Sequence, residues 1–349
     1  MSCRFSKAEF LRNAPSMSTV IAMAKTITTH GVQSMNYHIP SVVDGCSVSV
    51  RKWLPPHEVN TRAALQLTHG ISEHSGRYDR FARFLAENGY QVYACDLRGH
   101  GLSVRQSELG KASVHFWVDT MADMKQLLDL VYTENPNLPR FAFGHSLGSA
   151  LTQSHIQNWG GMFKGAILSG TFGAFPGMSA TQVRAAAAAL QALAFAAETS
   201  DKTSAVFVEL LSNLNKACGP DFKGCDWQTT DQVEIERFLR DPLNGKPFCN
   251  RMMYGVLQGL LQLWAPENEN CIPKDLPILV MCGTGDPVGG MTTNVRALIE
   301  RYQRYGVKDV SHIFYEGARH EPLNDFCRDK FCADVLAWLE ARLSESQTH

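Results

Sequence analysis

No run of apolar residues in this 349-residue chain approaches the roughly 18 to 20 needed to cross a bilayer. Neither sign of charge is in excess: 33 Lys and Arg stand against 34 Asp and Glu, a formal net charge of −1. That balance points away from nucleic acid and from a polybasic membrane anchor. No secretory leader is expected either, because Val20-Ile21-Ala22-Met23-Ala24 is too short for its apolar core. Cys218/Cys225 and Cys327/Cys332 lack the further ligands a zinc site needs. Gly283-x-Gly285 has no third glycine and opens no helix after a first strand, so no dinucleotide site is read there. Neither metal nor cofactor is expected. There are no internal repeats and no low-complexity linker. The 10 cysteines are scattered, several within apolar strands (Cys95, Cys282), and read as free thiols of a reducing, cytoplasmic compartment rather than as a disulfide framework.

Residues 1–34 form an N-terminal extension with no clear periodicity and are expected to be flexible. Four basic residues (Arg4, Lys7, Arg12, Lys25) face one acidic residue, Glu9, in its first 30 positions. Two readings stay open: a tail preceding a start at Met17 or Met23, and a mitochondrial-type transit segment.

From there the chain alternates. Segments 32–39 and 46–54 flank Asp44-Gly45 as a hairpin. Strands at 63–68, 90–95, 140–144 and 164–169 are separated by helical patterns at 76–88 and 114–133, the first with Phe81, Phe84 and Leu85 on one face. After Gly170 the rhythm stops: 171–271 shows no strand signal, and 10 of the 18 residues 180–197 are alanine. It resumes with strand 276–282, helix 291–305, strand 310–315 and helix 324–343. The expected fold class is therefore α/β, a mostly parallel central sheet with helices on both faces and a helical cap inserted late in the sheet. The divisions are 35–169 and 273–349 for the two parts of the core, with 170–272 as the cap. Right-handed crossovers gather the loops at the strands' carboxyl ends.

One of those loops is distinctive. Phe141-Ala-Phe runs into Gly144-His145-Ser146-Leu147-Gly148 and then a helix, the G-x-S-x-G elbow in its strand-turn-helix setting. Serine is a poor nucleophile at neutral pH and needs a base, and the base needs an orienting acid. The chain order Ser, acid, His is filled by Asp286 in Gly283-Thr-Gly-Asp-Pro-Val and His320 in Glu316-Gly-Ala-Arg-His-Glu, each just past a late strand. Among twelve histidines, His145 reads as structural, while His69, His74 and His100 sit at the same edge with no carboxylate placed to orient them. The rival acids fare worse. Asp309 precedes its strand, and Asp325 starts a helix, where a carboxylate is ordinary. Two backbone donors should face a developing oxyanion: Leu147 N–H at the start of the elbow helix and Ile71 N–H in the His69-Gly70-Ile71 turn.

These pieces carry a resemblance. His69-Gly-Ile-Ser-Glu-His-Ser-Gly-Arg-Tyr78, Asp96-Leu-Arg-Gly-His-Gly-Leu-Ser103, the elbow, the Gly-Asp-Pro-Val around Asp286 and Arg319-His320-Glu321 occur in order. The chain resembles the monoacylglycerol lipase and lysophospholipase group of the α/β-hydrolases. The resemblance implies Ser146, Asp286 and His320 as a catalytic triad, Ile71 and Leu147 as the oxyanion hole, and a small-molecule lipid ester as substrate. It departs from the familiar monoacylglycerol lipase form at Ser72, where that form has glycine. It departs again at Arg-His-Glu-Pro-Leu-Asn, which is nearer to lysophospholipase-like bacterial relatives. Monoacylglycerol and lysophospholipid both stay open, as do carboxylesterase, thioesterase or peptidase activity on the same fold and a non-catalytic binding protein. Phe172, Phe175 and Met178, with the stretch from Leu190 to Leu214, are expected to line an acyl tunnel or to form the cap's own core. The cap is also where a transient contact with a membrane surface would fall.

Overall fold

The computed structural model describes residues 25–175, 179–222 and 224–344. Nine strands form one sheet: β1 (Lys25–Thr29), β2 (Val32–Pro40), β3 (Ser47–Leu54), β4 (Ala63–Thr68), β5 (Tyr90–Cys95), β6 (Arg140–His145), β7 (Gly165–Ser169), β8 (Ile278–Gly283) and β9 (Val310–Tyr315), in the order β1-β2-β3-β5-β4-β6-β7-β8-β9. The first three are antiparallel, and β3 joins β5 antiparallel through Val50 opposite Cys95. All later pairings are parallel. β4, β7 and β8 are buried along their whole length, as apolar strands covered on both faces must be.

The helices of the core are α1 (Asp79–Glu87), α2 (Phe116–Glu134) and α3 (Leu147–Trp159). Between β7 and β8 come α4 (Ala180–Phe195), α5 (Ala205–Cys218), α6 (Gln232–Arg240), α7 (Asn250–Leu263) and the single turn α8 (Pro266–Glu269). α9 (Thr293–Arg304) and α10 (Arg328–Ser344) complete the α-helices among the described residues. The pleat sorts the layers. Phe143, Ile167 and Met281 face Phe81 and Leu85 of α1 and Phe331 and Val335 of α10. Ala166, Leu168 and Val280 face Val295, Leu298 and Tyr302 of α9 on the other side. α2 and α3 lie on that second side too, where they meet the insert.

The expected elements are present with shifts of a few residues. The stretch 231–265 resolves into α6 and α7, separated by a turn in which Gly245 takes a positive φ of 70°. One strand escaped the pattern: β1 is the polar Lys-Thr-Ile-Thr-Thr, paired in register with 32–36 of β2 at the sheet's edge. It lies in the stretch read as extension, and residues 1–24 of that stretch are outside the described residues. The alanine-rich α4 opens with a capping box formed by Ser179 and Gln182. It buries Val183, Ala187, Leu190 and Ala194, and leaves Leu193 and Phe195 exposed. The nine cysteines among the described residues are free. No helix among those residues is long and apolar enough to cross a membrane.

α7 is the element that fastens the insert to the core. At Gly259 a Cβ would sit 2.0 Å from Cδ2 of Trp117 on α2, so the two helices touch where only glycine leaves room. Gly259→Ala is expected to lower the urea midpoint by about 1–3 kcal/mol without changing the denaturant slope. An unchanged midpoint would mean the helices are not so closely apposed.

Candidate active site

Ser146 sits between β6 and α3 with φ 55° and ψ −123°, a left-handed conformation that costs a non-glycine residue on the order of 1–3 kcal/mol. Neighbouring groups hold it there. Its N–H donates to the Ser169 carbonyl at the end of β7 (3.0 Å), and its own carbonyl accepts from Ser149 Oγ (2.6 Å). The flanking glycines are sterically required. A Cβ on Gly144 would lie 2.3 Å from Thr152 Oγ1, and one on Gly148 would lie 2.3 Å from the carbonyls of both Thr68 and His69.

Asp286 follows β8 and is fully buried. Its Oδ1 accepts from Val288 N–H (2.8 Å). His320 follows β9 and places Nδ1 3.0 and 3.1 Å from the two Asp286 oxygens. A carboxylate only accepts, so Nδ1 carries the hydrogen and Nε2 presents a lone pair. That Nε2 is buried and has no hydrogen-bond partner among the described residues. Burial opposes charge on His320, but the Asp286 carboxylate and its hydrogen bond outweigh it and hold the pKa above the usual 6.5. The His320 ring lies 4.8 Å from that of His145, the residue before Ser146. At Gly170 a Cβ would press on both rings, 2.8 Å from His145 Cε1 and 3.0 Å from His320 Cε1.

The turn after β4 lies against the serine: a Cβ on Gly70 would be 3.1 Å from Ser146 Cβ. Its amides are already sorted. Gly70 N–H donates to Glu73 Oε1 (2.5 Å), and Ser72 N–H, at φ 54°, donates to His100 Nε2 (3.2 Å). Ile71 N–H has no acceptor among the described residues, nor does Leu147 N–H at the start of α3. Both residues line the cavity that holds Ser146.

The other histidines have structural places. His69 and His100 meet edge to face at 5.1 Å. His69 Nε2 accepts from Leu97 N–H (2.9 Å). Burial pushes the pKa of His69 down to about 4 and that of His100 to about 3. Burial, with His320 beside it, takes His145 to about 4. His74 corrects the expectation that no carboxylate orients these rings: its Nε2 is 2.9 Å from Asp241 Oδ2, supplied by the insert. The rival acids are engaged elsewhere, Asp309 with Arg342 (2.7 Å) and Asp325 with Arg319 N–H (3.0 Å).

One feature went unread in the sequence. Arg77 is buried and donates to Glu73 Oε2 (2.6 Å) and to both oxygens of Glu321 (2.9 and 2.8 Å). Phe238 of α6 lies 4.8 Å from the guanidinium. Burial opposes ionisation of Glu321, yet Arg77 draws its pKa down to about 2. This charge cluster ties the turn bearing Ile71 to the loop bearing His320.

The cavity over Ser146 is lined by Ile71, Leu147, Phe172 and Phe175, and from the insert by Leu210, Leu214, Trp227, Met253 and Leu260. Phe172 and Phe175 line this cavity, while Met178 lies outside the described residues. The insert's leucines were legible as an apolar stretch; Trp227 and Met253 carried no local signal. No group of three or more His, Cys, Asp or Glu side chains among the described residues could hold a metal ion.

Residues 59–326 match the family model described as serine aminopeptidase, S33. The chain belongs to this family. It is 33% identical over 262 residues to human monoglyceride lipase, covering 73% of this chain and 75% of that one. It is 27% identical over 311 residues to the monoacylglycerol lipase of Mycolicibacterium smegmatis, covering 86% and 95%. Among solved structures it is similar to a thermostable carboxyl esterase from Bacillus coagulans in complex with glycerol, with TM-score 0.79, 26% identity and coverage of 89% and 99%. The fold is that of the α/β-hydrolases.

The buried neutral histidines generate a prediction about stability. Above pH 6.5 these rings are neutral whether the chain is folded or not; as pH falls, the unfolded chain takes up protons first. Stability should therefore drop through the window from 6.5 to about 4, by up to about 1.4 kcal/mol per pH unit for each such ring. His155, pushed by burial to about 3 and with an unpartnered Nε2, is remote from Ser146 on α3's far turns. Thermal melts across that window should show a shallower decline for His155→Leu; an identical slope would contradict the assignment.

Proposed function

We propose that the protein is a serine hydrolase that cleaves carboxylic esters of monoacyl lipids, with Ser146 as nucleophile, His320 as general base and Asp286 as its orienter. The observation that carries this is the His320 Nε2 lone pair, buried and unpartnered on a ring 4.8 Å from that of His145, the residue before Ser146. Ser146 Oγ attacks the ester carbonyl and its proton passes to Nε2; the imidazolium is stabilised by Asp286 at Nδ1. The tetrahedral oxyanion is held by the Ile71 and Leu147 amides, whose hydrogens no other group claims. Collapse breaks the ester C–O bond, and Nε2 returns the proton to the departing alcohol. Water then attacks the acyl-serine, gives its proton to Nε2 and releases the fatty acid, with the proton restored to Ser146.

The apolar lining suits an acyl chain, at about 0.8 kcal/mol for each methylene buried. Phe172, Phe175, Leu210 and Leu260 are placed for that contact. None of the described residues lining the cavity is charged. An aminopeptidase must balance a substrate ammonium, and the two nearby carboxylates, Glu73 and Glu321, are both paired with Arg77. That same pairing leaves Arg77 already neutralised toward a phosphate. A neutral glycerol ester is therefore favoured over a lysophospholipid and over a peptide, in keeping with the names of the relatives above.

A hydrolysis panel of monoacylglycerols, lysophospholipids and amino-acid anilides tests this, with Ser146→Ala as blank. Long- or medium-chain monoacylglycerols should be the best substrates, and Ser146→Ala and His320→Ala should each lose roughly 10⁴-fold or more in kcat. A series peaking at acetate, or at an anilide, would overturn the substrate assignment. Because Asp286 raises the His320 pKa, activity should fall on acidification with a midpoint above 6.5. A midpoint at or below that value would contradict His320 as the base.

A further inference from the structure

We infer that Trp227, carried by the helical insert, is a positioning residue for His320: its indole fixes the imidazole plane and favours the imidazolium that forms during acyl transfer. This rests on the reading of His320 as the general base. The His320 ring is held on two sides, by His145 at 4.8 Å with an interplanar angle of 47° and by Trp227 at 5.0 Å with an angle of 41°. Trp227 is only 3% exposed and lines the same cavity as Ser146. It therefore reaches both the base and the space a substrate would fill.

The indole is held in place by the base loop itself. Arg319 Nη1 donates to the carbonyls of Asp226 (2.6 Å) and Thr229 (3.1 Å). Glu321 N–H donates to the Gln228 carbonyl (2.7 Å). Thr229 Oγ1 donates to the Asn324 carbonyl (2.9 Å), and Thr230 N–H donates to Asp325. Segment 226–230 is thus stitched to 319–325 on both sides of the indole, residue against residue. The insert does more than cover the cavity, since this part of it is hydrogen-bonded to the base loop.

The physics follows from the ring faces. An aromatic face carries a negative quadrupole and attracts a cation within about 6 Å, tryptophan most strongly. In the resting state His320 is neutral and the contact is packing. When Nε2 takes the serine proton the contact gains an electrostatic component, so the stabilisation is larger in the transition state than in the ground state. The ionisable groups around His320 are Asp286 on the β8 loop, Glu321 on its own loop, Glu73 and Arg77 after β4, His145 after β6 and Arg319 beside it. Trp227 is the contact on His320 that cannot ionise.

The test compares Trp227→Leu and Trp227→Phe in the full chain, using a soluble medium-chain p-nitrophenyl ester. The pH dependence of kcat/KM is read together with the low-field proton NMR signal of His320 Nδ1–H. Trp227→Leu should lower kcat about tenfold with little change in KM. It should also move the acid limb to lower pH by roughly half a unit to one unit, because the imidazolium loses support. The low-field signal should persist, showing that the Asp286 bond survives. Trp227→Phe should keep most of both properties. The inference is overturned if Leu leaves limb and kcat unchanged, if the loss lies in KM alone, or if Leu and Phe behave alike, since filling volume would then suffice. Should Trp227→Leu not melt cooperatively, Trp227→Met carries the same comparison. His320→Ala separates the two claims: fluorophosphonate labelling of Ser146 at the parent rate in that variant would remove the base assignment itself, whatever Trp227 does.

Discussion

Backbone crowding at the turn after β6 governs the rest of the molecule. Ser146 adopts a conformation that a free chain would avoid, and it does so because Gly148 brings α3 onto the carbonyls of Thr68 and His69 with no room for a side chain. That approach does three things at once. It orients the first turn of α3 so that the Leu147 amide has no acceptor of its own. It presses the turn after β4 against Ser146. It also leaves the hydroxyl at the mouth of the sheet, where loops from four further strands converge. The local cost is met by bonds from Ser169 and Ser149, which belong to neighbouring elements rather than to the turn. Strain at one residue is thus distributed over the packed sheet, the usual condition for it to persist.

Around that point, charge is managed by pairing and tautomer rather than by exposure. His69 and His100 stay neutral because burial excludes the imidazolium, and neutral rings accept from backbone amides in fixed directions. His100 takes the Ser72 hydrogen and Glu73 takes that of Gly70. Ile71 is left as the unclaimed donor by subtraction. His320 differs from these rings in having a carboxylate at Nδ1, and Asp286, helped by the charges of Glu321 and Glu73, reverses the direction of its pKa. Arg77 balances Glu73 and Glu321 in the same volume, so three ionised groups lie close to the cavity without any of them lining it.

Much of this was readable from residue order and much was not, for a physical reason. β4, β6, β7 and β8 announce themselves as short apolar runs, with Ser146 and Asp286 just past two of them, and His320 lies past the less apolar β9. Strand periodicity therefore predicts their shared edge. The polar β1 offers no such run, and its pairing rests on the hairpin partner β2. Arg77 and Glu321 are 244 residues apart, and Thr229 and Asn324 are 95 apart. Both contacts join irregular loops, where no period links one residue to another. His74 looked unpartnered because Asp241 arrives from the insert, whose placement on the core depends on the fit of α7 against α2 rather than on any motif.

The insert's attachment also bears on how such a cavity opens. Its contacts with the core are not uniform. At 226–230 it is bound to the base loop by several hydrogen bonds, and near 241–246 it is bound to the turn after β4, with Ser72 Oγ donating to the Lys246 carbonyl (2.7 Å) and Gly245 N–H to the Ser72 carbonyl (2.8 Å). α4, by contrast, presents Leu193 and Phe195 outward and meets the rest mainly through α7. Breaking the first two attachments would disturb the base and the oxyanion donors together. α4 takes part in neither attachment, whereas α5 is tied toward the first by Asn215 Nδ2, which donates to the Gly224 carbonyl (2.9 Å). α4 is therefore the part of the insert whose rearrangement would leave the attachments at 226–230 and 241–246 in place.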